Sequence, residues 1–196
     1  MGPTWLELAR KHAEDARARH AECLAAWAGI DEPAKALERE FEASMQATMA
    51  TAIAFDALYD AVRKINDVLA TLVAQWKANK TARYKQIAET LKIAFGLNAK
   101  QLEALRGSLK QHYKLRDLAM HPSGELDAPI LHPELNGGVE WRFAFFRSYN
   151  AQIFGSDGIQ NFSDLLNVGK PKNDAVQRYA TGLNARLNGG GAPIDP

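Results

Sequence analysis

Apolar residues recur at helical spacing from Trp5 to Ala28 and stop at Gly29, the period of a helix with one buried face. Thr4 followed three residues on by Glu7 matches a capping box, so a first helix is expected over 4–28. Asp31-Glu32-Pro33 offers an N-cap and a first-turn proline, and neither glycine nor proline follows until Gly96. A helix of about 60 residues exceeds ordinary globular length. A break is therefore expected where polar residues collect, with Asn66-Asp67 and Asn79-Lys80-Thr81 as the candidate places. The segment 81–95 closes at Gly96, and Asn98 is placed to cap a helix over 99–120 whose buried side comes from Leu102, Leu105, Leu109, Tyr113 and the stretch 115–118.

Helical rules stop at His121. Residues 121–138 hold three prolines and three glycines, which predicts an irregular loop. Residues 139–168 are rich in aromatics, among them Trp141, Phe143, Phe145, Phe146, Tyr149, Phe154 and Phe162. They read as helix, the alternative being a short strand leading into helix. After a polar linker, Val176, Tyr179, Ala180, Leu183 and Leu187 return to helical spacing, and 188–196 has no periodicity and reads as a disordered tail. The pattern predicts an all-α bundle of four to six helices, one domain over 1–187 with the tail at 188–196.

Composition agrees with this. A chain of 196 residues that is 46% hydrophobic can build one good core, and frequent alanine with sparse β-branched residues favours helix. Cys23 is the single cysteine, so no intramolecular disulfide and no Cys-rich zinc site can form, and a reducing cytoplasm fits best. The first 22 residues are charged every few positions and carry no apolar run suited to a signal peptide or membrane span. A soluble cytoplasmic protein without a membrane partner is expected.

The net charge of +1 hides an asymmetry. Residues 1–44 hold nine acidic and six basic side chains, a balance of −3, whereas 60–117 hold twelve basic and five acidic, a balance of +7. The middle of the chain is suited to face a polyanion.

That basic region ends in Lys114-Leu115-Arg116-Asp117-Leu118-Ala119-Met120-His121-Pro122. At about 100° per residue, Asp117 and His121 share a helix face, while Arg116 and His121 diverge by about 140°. Pro122 disfavours helix at the residue before it, so His121 is expected at a frayed end from which it can swing toward Arg116. The helix C-terminus and the Asp117 carboxylate both favour the imidazolium, which suits His121 to proton transfer. RNA is cut without a metal when its own 2′-hydroxyl attacks the adjacent phosphate, given an arginine to hold the charge and a histidine to move protons. One imidazole does not conveniently serve as both base and acid, and a dimer supplies two.

Arg-Asp, three further residues, then His-Pro resembles the ribonuclease motif of the HEPN family, and the helical pattern over about residues 4–168 fits that family as well. The resemblance implies a HEPN-like helical domain that forms a homodimer around the motif. It implies that Arg116 contacts the scissile phosphate, that His121 transfers protons and that Asp117 supports the arginine. No metal or cofactor is implied. RNA is the implied substrate. Family members of this kind often act as toxins in toxin–antitoxin or phage-defence systems, which would add an antitoxin protein as a partner. Others are silent interaction or RNA-binding modules, and that alternative stays open. Ser123 stands where the branch silenced by nucleotidylation has tyrosine, so an antitoxin of that sort is not implied.

Lys110, Lys114 and Arg106 lie on the helix that carries the motif and are candidates to track an RNA backbone, together with Lys100 and His112 and with Lys77, Lys80, Arg83 and Lys85 before it. Taken singly, each is an ordinary solubilising charge. His20 and Cys23, three apart, are a weak metal pair without carboxylate support. His132 can approach the motif only through the loop. Arg142 and Arg147 sit on a segment better suited to an inter-helix or dimer surface. Glycine-rich phosphate loops, paired catalytic carboxylates and a nucleophile elbow are absent from the sequence.

Overall fold

The long glycine-free stretch breaks at both places where its polar residues collect. The computed structural model describes residues 2–29, 32–66, 69–120, 128–171 and 173–187. In chain order these form α1 (Gly2–Ala28), α2 (Pro33–Lys64), α3 (Leu69–Ala78), α4 (Arg83–Phe95), α5 (Ala99–Met120), β1 (Ile130–Leu131), β2 (Gly138–Val139), α6 (Trp141–Phe145), α7 (Ser148–Val168) and α8 (Asp174–Leu187). The first break leaves Asn66 outside any helix, and the second turns through Lys80 at a φ of 48°, a backbone that cannot continue a right-handed helix.

Eight helices among the described residues exceed the four to six expected, because both breaks divide the stretch and the short α6 precedes α7. Two further expectations are corrected. α1 already contains Gly2 and Pro3, so Thr4 lies inside the helix and Thr4/Glu7 form no capping box. The described end of the expected loop is a hairpin, with Ile130 opposite Val139 and Leu131 opposite Gly138. It turns at Asn136, whose φ is 46°, and the His132 amide donates to the Gly137 carbonyl at 2.9 Å. Strands of two residues are too short for alternation to be visible in a sequence. Asp31, His121 with the rest of 121–127, and the tail 188–196 lie outside the described residues.

α2 is the axis of the fold. Its 32 residues bury, among others, Ala36, Leu37, Glu40, Ala43, Ala47, Ala54, Phe55, Leu58 and Val62. α1 lies antiparallel beside it, as the pairs His20 with Glu40 and Glu22 with Arg39 show. Where α1, α2 and α7 meet, the contact is made by Ala13, Ala16, Ala43, Ala47 and Ala151, small side chains that let helices approach closely. The main core gathers Leu6, Phe55, Leu58, Ile87, Leu91, Phe95, Leu109, Phe162 and Leu183 from α1, α2, α4, α5, α7 and α8. Gly96 ends α4 at a φ of 62°, its amide bonded to the Lys92 carbonyl, the left-handed stop that glycine allows without strain. No helix among the described residues is long and apolar enough to cross a membrane.

One buried carboxylate ties three of these helices together. Glu40 on α2 is 1% exposed. Its Oε1 accepts the amide of Ser148, the first residue of α7, at 2.8 Å and lies 3.0 Å from Nδ1 of His20 on α1. α7 has no side-chain cap from its own N-cap residue, Arg147; a residue of α2 supplies the acceptor instead, at the end of the helix where negative charge is favoured. Replacing Glu40 by alanine leaves the Ser148 amide buried without that acceptor. The expected loss is about 1.5–3 kcal/mol of unfolding free energy, measured by urea denaturation; a change below about 0.5 kcal/mol, the range of neutral surface substitutions, would show that the junction does not depend on it.

Candidate functional site

α5 begins with reciprocal side-chain caps. Gln101 N–H donates to Asn98 Oδ1 and Asn98 N–H to Gln101 Oε1, each at 2.9 Å, the capping-box geometry. The helix turns Leu102, Leu105, Leu109, His112, Tyr113 and Leu115 inward and leaves Lys110 and Lys114 exposed. Arg116 and Asp117 lie close to its C-terminal end, and His121 follows Met120 outside the described residues. The expected Asp117–His121 contact therefore lies outside them too.

Beside this end of α5 is an open cleft of about 610 Å³, walled on the other side by α4. Arg83, Tyr84, Lys110, Lys114, Arg116 and Asp117 line it, four basic groups against one acid. Two of these groups share Asp56 of α2, which does not itself line the cleft. Arg83 Nε donates to Asp56 Oδ1 at 2.6 Å, and Arg116 Nη1 donates to Asp56 Oδ2 at 3.4 Å. Each guanidinium also lies over an aromatic ring, Arg83 at 3.9 Å from the centre of Tyr59 and Arg116 at 4.3 Å from that of Tyr113.

Arg116 has a second partner in its neighbour. Its Nε and Nη2 donate to Asp117 Oδ1 at 3.1 and 2.8 Å. Asp117 itself is 59% exposed. Tyr113 is buried beneath the arginine, and its hydroxyl donates to the Ala52 carbonyl at 3.4 Å. Burial first and the Asp56 carboxylate second push this phenol far above its ordinary range, so it remains protonated. It is a platform and donor rather than a base.

The other basic candidates separate by position. Arg106 is bonded to Glu89 and lies 3.8 Å from Glu103, away from the cleft lining. His112 does not face solvent as expected from its place among lysines. It is fully buried, with Nδ1 2.9 Å from the Ser108 carbonyl and Nε2 3.0 Å from the Phe154 carbonyl, and joins α5 to α7. Arg142 is held by Glu140, and Arg147 lies 3.1 Å from Glu134, both outside the cleft. Phe143 and Phe146 from the same segment pack on Phe41 of α2 at ring-centre distances of 5.1 and 5.8 Å.

Asp56, Tyr113 and Tyr84 were not singled out from the sequence as site residues. Asp56 did leave a signal, being a lone charge within the apolar run from Met49 to Leu58. Its partner Arg116 is 60 positions away, a pairing that no local pattern encodes. Compared with protein-family models, with curated proteins and with solved structures, the chain matches none. The HEPN resemblance rests on the motif residues themselves.

His20, His132 and Cys23 form a separate polar group around Glu40. His20 contacts Glu40, and burial followed by the Glu40 carboxylate pushes the Cys23 thiol up to about 11, which keeps it protonated and unreactive. Among the described residues no set of three or more His, Cys, Asp or Glu is arranged to hold a metal ion. His132 is 1% exposed and does not line the cleft. Its Nδ1 accepts the Glu134 amide at 3.2 Å, which puts the proton of the neutral ring on Nε2, and Nε2 has no partner among the described residues. Burial lowers its pKa, against the opposing pull of Glu134 and Glu40.

A lowered histidine pKa in the folded state means that the unfolded chain takes up the proton first. The ring costs nothing above its ordinary pKa of about 6.5, and stability is lost as pH falls below that value until the folded ring also titrates. Replacing His132 by asparagine keeps an acceptor near the Glu134 amide and removes the titration. Urea unfolding at a series of pH values should show the decline below about pH 6.5 made shallower in this variant; parallel curves for the two proteins would refute the assignment.

Proposed function

We propose that the protein is a metal-independent endoribonuclease of HEPN type, acting in the cytoplasm as a homodimer through Arg116 and His121 with Asp117 in support. The observation that supports this best is the convergence of Arg116, Lys110 and Lys114 on one open cleft at the end of α5, where the motif leads on to His121. The arginine holds a phosphate oxygen, and the lysines attract the strand through its backbone charge. Arg106 stands one turn further along the helix, where Glu89 and Glu103 compete with RNA for it.

In the reaction the 2′-oxygen of RNA bonds to the adjacent phosphorus and the bond from phosphorus to the 5′-oxygen breaks. One imidazole takes the proton of the attacking hydroxyl, and a second, from the other subunit, gives a proton to the leaving oxygen. The products are a 2′,3′-cyclic phosphate and a 5′-hydroxyl end. Asp117 has a part before this step. It occupies two donors of Arg116 in the free protein, and because it is exposed it can yield them to the phosphate at little cost. It is then free to hold His121. A toxin of a toxin–antitoxin or phage-defence system, restrained by an antitoxin protein, is the biological setting this chemistry fits.

A second reading has its own observation. Arg116 already has Asp117 and Asp56 as partners, as expected of a silent HEPN-like module that binds RNA or protein without cutting. The two are separated by incubating the protein with tRNA and a structured mRNA in EDTA beside the His121→Ala protein. The ribonuclease reading expects 2′,3′-cyclic ends from wild type alone, with helix content unchanged in the variant. Equal RNA binding and no cleavage by either would favour the silent module. Lys110→Gln and Lys114→Gln are expected to weaken RNA binding more than Arg106→Gln, as measured by fluorescence anisotropy.

A further inference from the structure

Asp56 engages two arginines from two different helices, one with each carboxylate oxygen. Arg83 comes from the first turn of α4 and Arg116 from near the C-terminal end of α5. Nothing in the packing of α2 requires a charge at this position, since the same turn carries Ala54, Phe55 and Leu58 into the core. A partly buried carboxylate is costly unless its bonds are made, and here they are made to two cleft-lining groups.

We propose that Asp56 is a positioning residue that holds Arg116 and Arg83 as a pair, and that Arg83 is a second phosphate-binding residue of the cleft. The RNA strand is then gripped at the scissile phosphate by Arg116 and at a neighbouring phosphate by Arg83. This rests on the ribonuclease reading for the identity of the first phosphate. Three features support it. The shared carboxylate limits the separation of the two guanidinium groups to the carboxylate plus two bonds, within reach of neighbouring phosphates on one strand.

Arg83 also keeps donors to spare. A guanidinium has five N–H donors, and Asp56 takes the one on Nε while Asp60 lies 3.7 Å from Nη2, too far for a hydrogen bond. Finally, stacking on Tyr59 and Tyr113 holds each guanidinium in one orientation, so little side-chain entropy remains to be lost when phosphate binds. Tyr84, which also lines the cleft, offers a ring against which an unpaired base can stack. The substrate segment indicated is a single strand or an open loop.

The test uses the full chain and a fluorescent single-stranded RNA made uncleavable by 2′-O-methylation, with affinity measured against salt concentration. Each lost phosphate contact removes about 0.7 from the slope of log K against log salt for a single strand. Arg83→Gln should lose about that amount, as should Arg116→Gln, while Arg83→Lys keeps the slope. Asp56→Asn removes the negative charge that the two arginines share. It should bind RNA as tightly as wild type or more tightly, yet cleave an unmodified RNA about ten- to a hundredfold more slowly because Arg116 is no longer aimed.

A wild-type slope in Arg83→Gln, with helix content intact, overturns the second phosphate site. Wild-type cleavage by Asp56→Asn overturns its positioning role, and loss of both binding and helix content in that variant identifies Asp56 as structural instead. If wild type binds RNA without cutting it, the ribonuclease reading fails, and the slopes of the two arginine variants alone decide the grip. No salt-dependent binding by wild type refutes both.

Discussion

Five of the described helices, α1, α4, α5, α6 and α7, pack on α2, and at its crossing with α1 and α7 what permits the arrangement is the small size of its contact residues. Ala36, Ala43, Ala47, Ala50 and Ala54 recur along the helix, so α1 and α7 can lie against it with little side chain in between. A charged group buried at such a crossing is costly unless it finds partners.

Two carboxylates on that helix meet this requirement in different ways. Glu40 is buried and receives the first amide of α7 as well as the ring of His20. It therefore fixes where α7 starts, and with it the course of the chain leaving the hairpin. Asp56, about 24 Å further along at 1.5 Å per residue, lies at the edge of the core and receives two arginines. The first carboxylate is enclosed and structural. The second is partly exposed and bonds two arginines that line the cleft.

This separation keeps the chemistry at one end. Cys23, His20 and His132 gather around Glu40, where burial holds the thiol protonated and the His132 ring uncharged. Arg83 of α4 and Arg116 of α5 meet at Asp56 instead. A cleft with four basic groups and one acid among its lining residues draws anions, while the stacked tyrosines beneath the two arginines keep their charged groups from wandering.

Much of the helical framework was legible in the sequence. The period of three and four, the polar breaks at Asn66 and at 79–81, the Gly96 stop and the Asn98 cap are local effects, decided by residues within a few positions of each other. The helix bearing Lys110, Lys114, Arg116 and Asp117 could be drawn for the same reason, as could the exposure of the two lysines on its outer side. Local pattern misled where tertiary contacts prevail: His112, among lysines, is buried against Phe154, and the start of α7 is capped by a residue 108 positions earlier. The meeting of Asp56 with Arg83 and Arg116 was decided only by the packing of α2, α4 and α5. Ion pairs between distant positions have no period and no fixed spacing, and the geometry that makes them exists only once the helices have packed.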